Sequence, residues 1–184
     1  MHDIRVAKRY AHALFDVAKK HDVIPAVEDD LTGIVSLLTN NRQFRTLLLS
    51  PQVSRDEKFS LIDRLFSDRI TAITLQALRL VLEKNREHEI EWVQREFIKL
   101  RREHENVLFA TFTTAEAIDE DQKRRLVAKL EQLTGKRLET EYTIDPHLIG
   151  GARVAYENYV LDGSLRGGLR RLREKFMHDV LKQS

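Results

Sequence analysis

Apolar residues recur at helical spacing through the first hundred positions and then switch, in places, to strict alternation. The first period predicts a helix over about residues 4–20. A second begins near Pro25, a residue suited to a helix's first turn, and runs to about residue 39. Short helical segments follow over 43–49 and, behind a Ser54-x-x-Glu57 capping box, over 55–66. Another covers 70–83. The last, 87–105, sets Ile90, Val93, Phe97 and Leu100 on one stripe. The connections are short, as in a compact helical bundle.

Beyond about residue 106 the period changes. Residues 107–114, VLFATFTT, are β-branched and aromatic and predict a strand. Asp119-x-x-Gln122 is placed to cap a helix reaching residue 133, with Gly135 as its stop. Leu138, Thr140, Tyr142 and Ile144 alternate as a second strand, and residues 152–156 and 159–161 flank Glu157-Asn158 as a hairpin. A final helix starts at the Asp162-Gly163-Ser164 corner, with Leu165, Leu169, Leu172, Phe176 and Val180 expected on its buried side. The expected fold is mainly α, with a helical domain over 1–105 followed by a small α+β domain over 106–184.

Two helices carry more apolar surface than a bundle position requires. At about 100° per residue, Arg5, Lys8, Arg9, His12, Asp16, Lys19 and Lys20 share one arc of the first helix. The remainder is apolar in two adjoining stripes: Ile4, Ala7, Ala11, Leu14 and Ala18, then Val6, Tyr10, Ala13 and Val17. A surface helix needs an apolar arc of only ~100°. Either this helix is central in its bundle, or its second stripe meets a partner. Residues 70–82 repeat the pattern, with Ile70, Ile73, Ala77, Leu80 and Val81 on one stripe and Leu75, Leu78 and Leu82 well around the wheel. Side by side, two such helices form a groove for an amphipathic helix, and the small Ala11, Ala13 and Ala77 permit close approach.

Composition narrows the function classes. Of 184 residues, 42% are hydrophobic and 33% charged, which describes a core-forming chain rather than a disordered one. The net charge is +2, and the balance is local: residues 1–105 carry 18 basic and 17 acidic side chains, residues 106–184 carry 13 and 12. Neither half has the basic excess that phosphate neutralisation requires, so no nucleic-acid partner is expected. The alternative is a nucleic-acid-associated module using the basic last helix, with Arg166, Arg170, Arg171, Arg173 and Lys175. Cysteine is absent, which removes disulfides and thiolate zinc sites. No apolar run approaches the ~18 residues of a membrane span, so no direct membrane insertion is expected. Asp3, Asp16 and Asp22 interrupt the basic, amphipathic N-terminus, which reads as the first helix of the mature fold rather than a targeting peptide.

No catalytic constellation assembles. Five of the seven glycines fall between Asp145 and Leu172, but no GxxxxGK[ST] loop accompanies them, and Gly163-x-x-x-Gly167 lacks the spacing of a dinucleotide fingerprint. The glycines read as a fold corner: Gly150-Gly151 turns the chain into the hairpin, and Asp162-Gly163-Ser164 turns a strand into a capped helix. No GxSxG elbow exists. The densest titratable cluster, Glu87-His88-Glu89, is expected to be a solvated face at a helix start, and His147 a surface loop residue. Trp92 is either an exposed anchor or a half-buried bundle residue. No catalytic, cofactor or metal site is expected.

Three segments, at the right separations, resemble one family. Val6-Ala7-Lys8-Arg9-Tyr10-Ala11-His12-Ala13-Leu14-Phe15 is similar to its opening ARRYAxALF-like stretch, and Leu82-Glu83-Lys84-Asn85-Arg86 to its LxExGR-like helix junction. Ile149-Gly150-Gly151, then Val160-Leu161-Asp162-Gly163-Ser164-Leu165-Arg166-Gly167 and Leu169, resemble its C-terminal signature. The family is the delta subunit of the bacterial F-type ATP synthase, related to the mitochondrial oligomycin-sensitivity-conferring protein. The resemblance implies an N-terminal six-helix bundle, a C-terminal α+β domain and a non-catalytic stator role without cofactors. It further implies that the N-terminal helix of an alpha subunit lies between the first and fifth helices, against Tyr10, Ala13 and Leu80, with Val6, Val17 and Ala77 as neighbours. The C-terminal part is implied to engage the peripheral-stalk b subunits. The opening Met1 with no leader favours a peripheral place at the cytoplasmic face of the bacterial inner membrane. Two positions depart from the pattern, since members often carry glycine where this chain has Asn85 and Glu157. Asn85 tolerates the left-handed region, and Asn158 is expected to take that conformation at the hairpin.

Overall fold

The computed structural model describes residues 4–182, with side chains described as far as Glu174. Two compact units divide the chain between Arg101 and Arg102. The first contains α1 (Ile4–Lys20), α2 (Ile24–Asn40), α3 (Arg42–Leu49), α4 (Arg55–Phe66), α5 (Ala72–Glu83), a 3-10 turn (Glu87–Glu89) and most of α6 (Ile90–His104). Their ends follow from cap residues. Asn41 accepts from Phe44 N, Thr71 accepts from Thr74 N, and Ser54 and Glu57 form the full reciprocal capping box.

The C-terminal ends of α1 and α5 close in the same way. Asp22 takes φ 55°, with Val23 N donating to Ala18 O at 2.9 Å. Asn85 takes φ 50°, with Arg86 N donating to Val81 O at 2.9 Å and Asn85 N to Leu82 O at 3.0 Å. These are left-handed closures usually made by glycine, held here by the two side chains that next best tolerate that region.

Two clusters make the bundle's interior. One joins Ala7, Ala11, Leu14 and Ala18 of α1 to Val27 and Leu31 of α2 and to Val93 and Phe97 of α6, where Phe15 meets Phe97 edge-on at 5.5 Å. The other joins Ile34 and Leu38 to Phe44, Leu48, Ile62, Phe66, Leu78, Val81, Leu82 and Ile90. A fork from Arg101 to both carboxylate oxygens of Glu28, at 2.7 and 2.8 Å, ties α6 to α2. Trp92 is half-buried against the first cluster, with the Arg95 guanidinium 5.0 Å above its ring.

The Glu87-His88-Glu89 cluster differs from its expected solvated face. Glu87 and Glu89 are buried and His88 alone is exposed. Lys58 of α4, itself 6% exposed, donates its ammonium to Glu87 Oε1. The 3-10 turn redirects the chain from α5 into α6 and buries both carboxylates, and Glu87 there meets a lysine on the stripe Lys58, Ile62 and Phe66.

The second unit is a four-stranded sheet with two helices: β1 (Val107–Thr114), α7 (Glu120–Thr134), β2 (Arg137–Ile144), a 3-10 turn (Pro146–Leu148), β3 (Ala152–Tyr156), β4 (Tyr159–Asp162) and α8 (Leu165–Lys182). The strand order is β2-β1-β3-β4. β1 and β2 run parallel, with Phe112 opposite Tyr142, and α7 is their crossover; β3 and β4 add an antiparallel hairpin. Ala110, Phe112 and Leu130 form the core beneath α7, with Phe112 stacked on Tyr142 at 5.3 Å. α7 begins at the Asp119/Gln122 capping box and stops at Gly135, φ 68°.

Two expectations change here. At the hairpin tip Glu157, not Asn158, takes the positive φ, 46°, and its carboxylate accepts from Lys136 at 3.0 Å. The last helix is also turned around. Leu165, Leu169 and Leu172 are exposed rather than buried, while Gly167 faces inward. The side chains of Phe176 and Val180 lie outside the described residues.

Candidate functional site

The stripe that α1 buries is rich in alanine. Ala7, Ala11 and Ala18 let the helix lie close to its neighbours, and Leu14 fills the space between. The second stripe is therefore left at the surface: Tyr10 is half-buried, Ala13 and Val17 are exposed. α5 divides in the same manner. Leu78 and Leu82 enter the second cluster with Leu75 half-buried beside them, whereas Ile73, Ala77 and Leu80 remain at the surface.

These two surface stripes line one groove of about 200 Å³. Tyr10, Ala13 and Val17 of α1 form one wall; Ile73, Gln76, Ala77 and Leu80 of α5 form the other; Leu14, Val81 and Val93 form the floor. Val17 and Leu80 are 43% and 44% exposed, which for aliphatic side chains beside an apolar floor marks a surface that lacks its cover. Gln76 and the Tyr10 hydroxyl are the polar groups of the lining. Such a trough offers burial and two orienting hydrogen-bond positions; it holds no nucleophile with an adjacent base. Near one end of α5, Lys84 donates to Glu83 at 2.8 Å, and this hydrogen bond holds the Glu83 carboxyl below its ordinary pKa and lifts the Lys84 ammonium above its own.

Of the six residues expected at the groove, Tyr10, Ala13, Val17, Ala77 and Leu80 line it, and Val6 stands half-buried one turn before Tyr10, outside the lining. The five further lining residues are Leu14, Ile73, Gln76, Val81 and Val93. Leu14 and Val93 fall on other apolar stripes of their helices, whereas Val81 shares the stripe of Ala77 and Leu80; all three are buried, and Ala13 and Ala77 above them are small enough to leave these side chains visible from outside. Ile73 shares the stripe of Ala77 and Leu80, and Gln76 carries no apolar signal.

The six signature residues meet at one corner of the second unit. Gly163 N donates to Ala152 O at 3.0 Å and Leu165 N to Gly150 O at 2.9 Å, so the glycine turn before β3 lies directly against the start of α8. Asp162 Oδ1 accepts from Ser164 N at 3.0 Å and from Ser164 Oγ at 2.6 Å, and Ser164 Oγ accepts from Gly167 N at 3.0 Å. Those hydrogen bonds hold the Asp162 carboxyl below its ordinary pKa, with Arg171 and Arg170 adding to the effect. Ile149 stands at the edge of this corner with φ 69°, exposed to solvent. Among the described residues no group of three or more histidine and carboxylate side chains is arranged to hold a metal, and no helix is long and apolar enough to cross a membrane.

The family model of the ATP synthase delta (OSCP) subunit matches residues 6–176. The chain is 37% identical over 172 residues to the ATP synthase subunit delta of Desulforamulus reducens, covering 94% of this chain and 95% of the relative. It is 36% identical over 169 residues to the subunit of the same name from Desulforudis audaxviator, covering 92% and 93%. In fold it is similar to a chain of the cryo-EM structure of the Toxoplasma gondii mitochondrial ATP synthase hexamer, with a TM-score of 0.74 at 23% identity, over 93% of this chain and 97% of the other.

Proposed function

This chain belongs to the ATP synthase delta (OSCP) subunit family, and on that premise we propose that its groove between α1 and α5 holds the N-terminal helix of an alpha subunit. The chain is a stator component of the ATP synthase, attached to both the catalytic head and the peripheral stalk. In the finer reading, helices α1 to α6 act as one six-helix bundle seated on the head, and the α+β unit engages the b subunits of the stalk. The assembly sits peripherally at the cytoplasmic face of the bacterial inner membrane. No family match favours a nucleic-acid module, and the near balance of 31 basic and 29 acidic residues argues against one.

The observation that carries the groove assignment is the facing pair of uncovered walls, Val17 on α1 and Leu80 on α5, above a floor of buried core residues. An amphipathic helix laid there removes apolar surface from water at about 25 cal/mol per Å² in gross terms, offset in part by the cost of ordering the helix. Attachment at two places matters mechanically. Each contact keeps the other at high effective concentration, so the head stays coupled to the stalk while the rotor turns beneath it. A joint that resists torque during proton-driven ATP synthesis needs area and retention, and no chemistry of its own.

The test is titration calorimetry of the full-length chain with a synthetic alpha-subunit N-terminal peptide. Tyr10→Asp or Ala13→Asp is expected to leave the helical circular dichroism intact and abolish the binding heat. Unchanged affinity in a folded variant would remove the groove assignment.

A further inference from the structure

A second pocket lies on the far side of α5 from the groove, where the loop after α3 and the start of α4 meet the corner between α5 and α6. It is open and measures about 260 Å³. Leu49, Val53 and Leu82 supply its apolar lining, Arg55 and His88 stand exposed in it, and Lys58 and Glu87 are its buried members, 6% and 7% exposed. Leu82 is two residues, or about 200°, around α5 from Leu80, and no residue lines both pocket and groove.

The buried pair is only half satisfied. Glu87 Oε1 accepts from Lys58, but Glu87 Oε2 has no hydrogen-bond partner among the described residues. The Lys58 ammonium carries three N–H donors and gives one to Glu87, with no other partner among the described residues. A buried ion pair offsets its desolvation only when its remaining lone pairs and protons are also answered, and here they are not. Arg55 and His88 make no ion pair among the described residues. Glu83, near enough to sense Arg55, is held by Lys84 at 2.8 Å.

These groups specify the chemistry of a ligand. Lys58 and Glu87 present a donor and an acceptor side by side, and the edge of a nucleobase carries the complementary acceptor and N–H donor. Aliphatic walls suit the flat faces of a base, and a guanidinium beside an imidazole suits a phosphate. We propose that this pocket binds a nucleoside monophosphate, with its base edge on Lys58 and Glu87 and its phosphate on Arg55 and His88. Other classes leave something unanswered. A cation meets Lys58 and Arg55, a simple anion meets the Glu87 carboxylate, and a single bridging water is far smaller than the pocket. The site is independent of the groove and of the stator reading. Its occupant joins α4 to the corner between α5 and α6, and so stabilises the bundle that it fills.

The experiment titrates the full-length chain by calorimetry with AMP, GMP, CMP and UMP. Ribose 5-phosphate, which lacks the base, and the matching nucleosides, which lack the phosphate, are titrated in parallel. At least one monophosphate is expected to bind one-to-one and to raise the thermal midpoint, with both of its fragments at least about tenfold weaker. Arg55→Glu, an exposed position, is expected to weaken that nucleotide by about tenfold or more. Lys58→Met combined with Glu87→Leu, which replaces the pair by apolar side chains, is expected to abolish its binding. Affinity for the alpha-subunit peptide stays unchanged in both variants. Ribose 5-phosphate binding as tightly as the nucleotide would reduce the site to an adventitious ion only and overturn the proposal. Nucleotide affinity unchanged in both variants, or no binding by any of the four monophosphates, overturns it as well.

Discussion

The Cα of Gly151 approaches the carbonyl oxygen of Gly163 so closely that a methyl group added to Gly151 would lie 2.5 Å from it. Gly151 also takes φ 77°, which L side chains avoid at a cost of roughly 1–2 kcal/mol. Space and dihedral thus both demand glycine at the point where β3 begins beside α8. Gly151→Ala is expected to destabilise the second unit by at least about 2 kcal/mol, read as a fall in its urea midpoint. Gly33, inside α2 with nothing within 4 Å of an added methyl, supplies the contrast. Gly33→Ala is expected to raise stability by about 0.5–1 kcal/mol through helix propensity alone.

Asp162 links the same corner to pH. Ser164 donates to it from both backbone and hydroxyl, so folding lowers its pKa below the ordinary 3.8. A carboxyl whose pKa falls on folding stabilises the native state above its unfolded value, and that contribution disappears as pH drops through the lowered value. Asp162→Asn is therefore expected to be less stable than the parent at pH 7, with the gap closing in acid below the ordinary carboxylate range. Chemical denaturation at a series of pH values checks this; a gap that persists undiminished at the acid end would show that the hydrogen-bond geometry, not the charge, is what Asp162 supplies.

Helix limits were legible because their signals are local. The Ser54/Glu57 and Asp119/Gln122 boxes and the Gly135 stop sit where the chain itself must satisfy its end groups. The direction in which a stripe faces is not local. The leucines of α8 show a period but do not say whether core or solvent receives them, and only the close seat of Gly167 on Asp162 decides it. The groove was partly legible for the same reason. Periodicity exposes a surplus apolar stripe on α1 and on α5, the second including Val81, yet the floor residues Leu14 and Val93 are indistinguishable from core until two alanines open them to view. Lys58 carries a signal of its own: a lysine in phase with Ile62 and Phe66 implies a buried acidic partner.

That partner, Glu87, makes a second test of stability. Lys58 and Glu87 are both buried, and either charge left alone would be stranded without solvent. Lys58→Met is expected to cost about 3 kcal/mol or more, whereas Lys58→Met combined with Glu87→Leu removes both desolvation penalties and recovers most of that loss. A double-mutant cycle by guanidinium denaturation measures the coupling. Additive losses would mean that Glu87 is compensated by other groups.

Leu80 and Leu78 lie two residues apart on α5 and differ in what their truncation should report. Leu78 is 3% exposed within the second cluster, so Leu78→Ala leaves a cavity and is expected to cost about 2–5 kcal/mol of folding stability. Leu80 is 44% exposed on the groove wall, so Leu80→Ala removes little that the isolated chain buries and should shift stability by less than about 1 kcal/mol. In the proposed complex with the alpha-subunit peptide the same leucine would be covered, and its loss should weaken affinity by about tenfold. Melting curves and calorimetric titrations on both variants separate the two roles. If Leu80→Ala weakens the fold as much as Leu78→Ala and leaves peptide affinity untouched, the outward stripe of α5 belongs to the bundle and not to the partner.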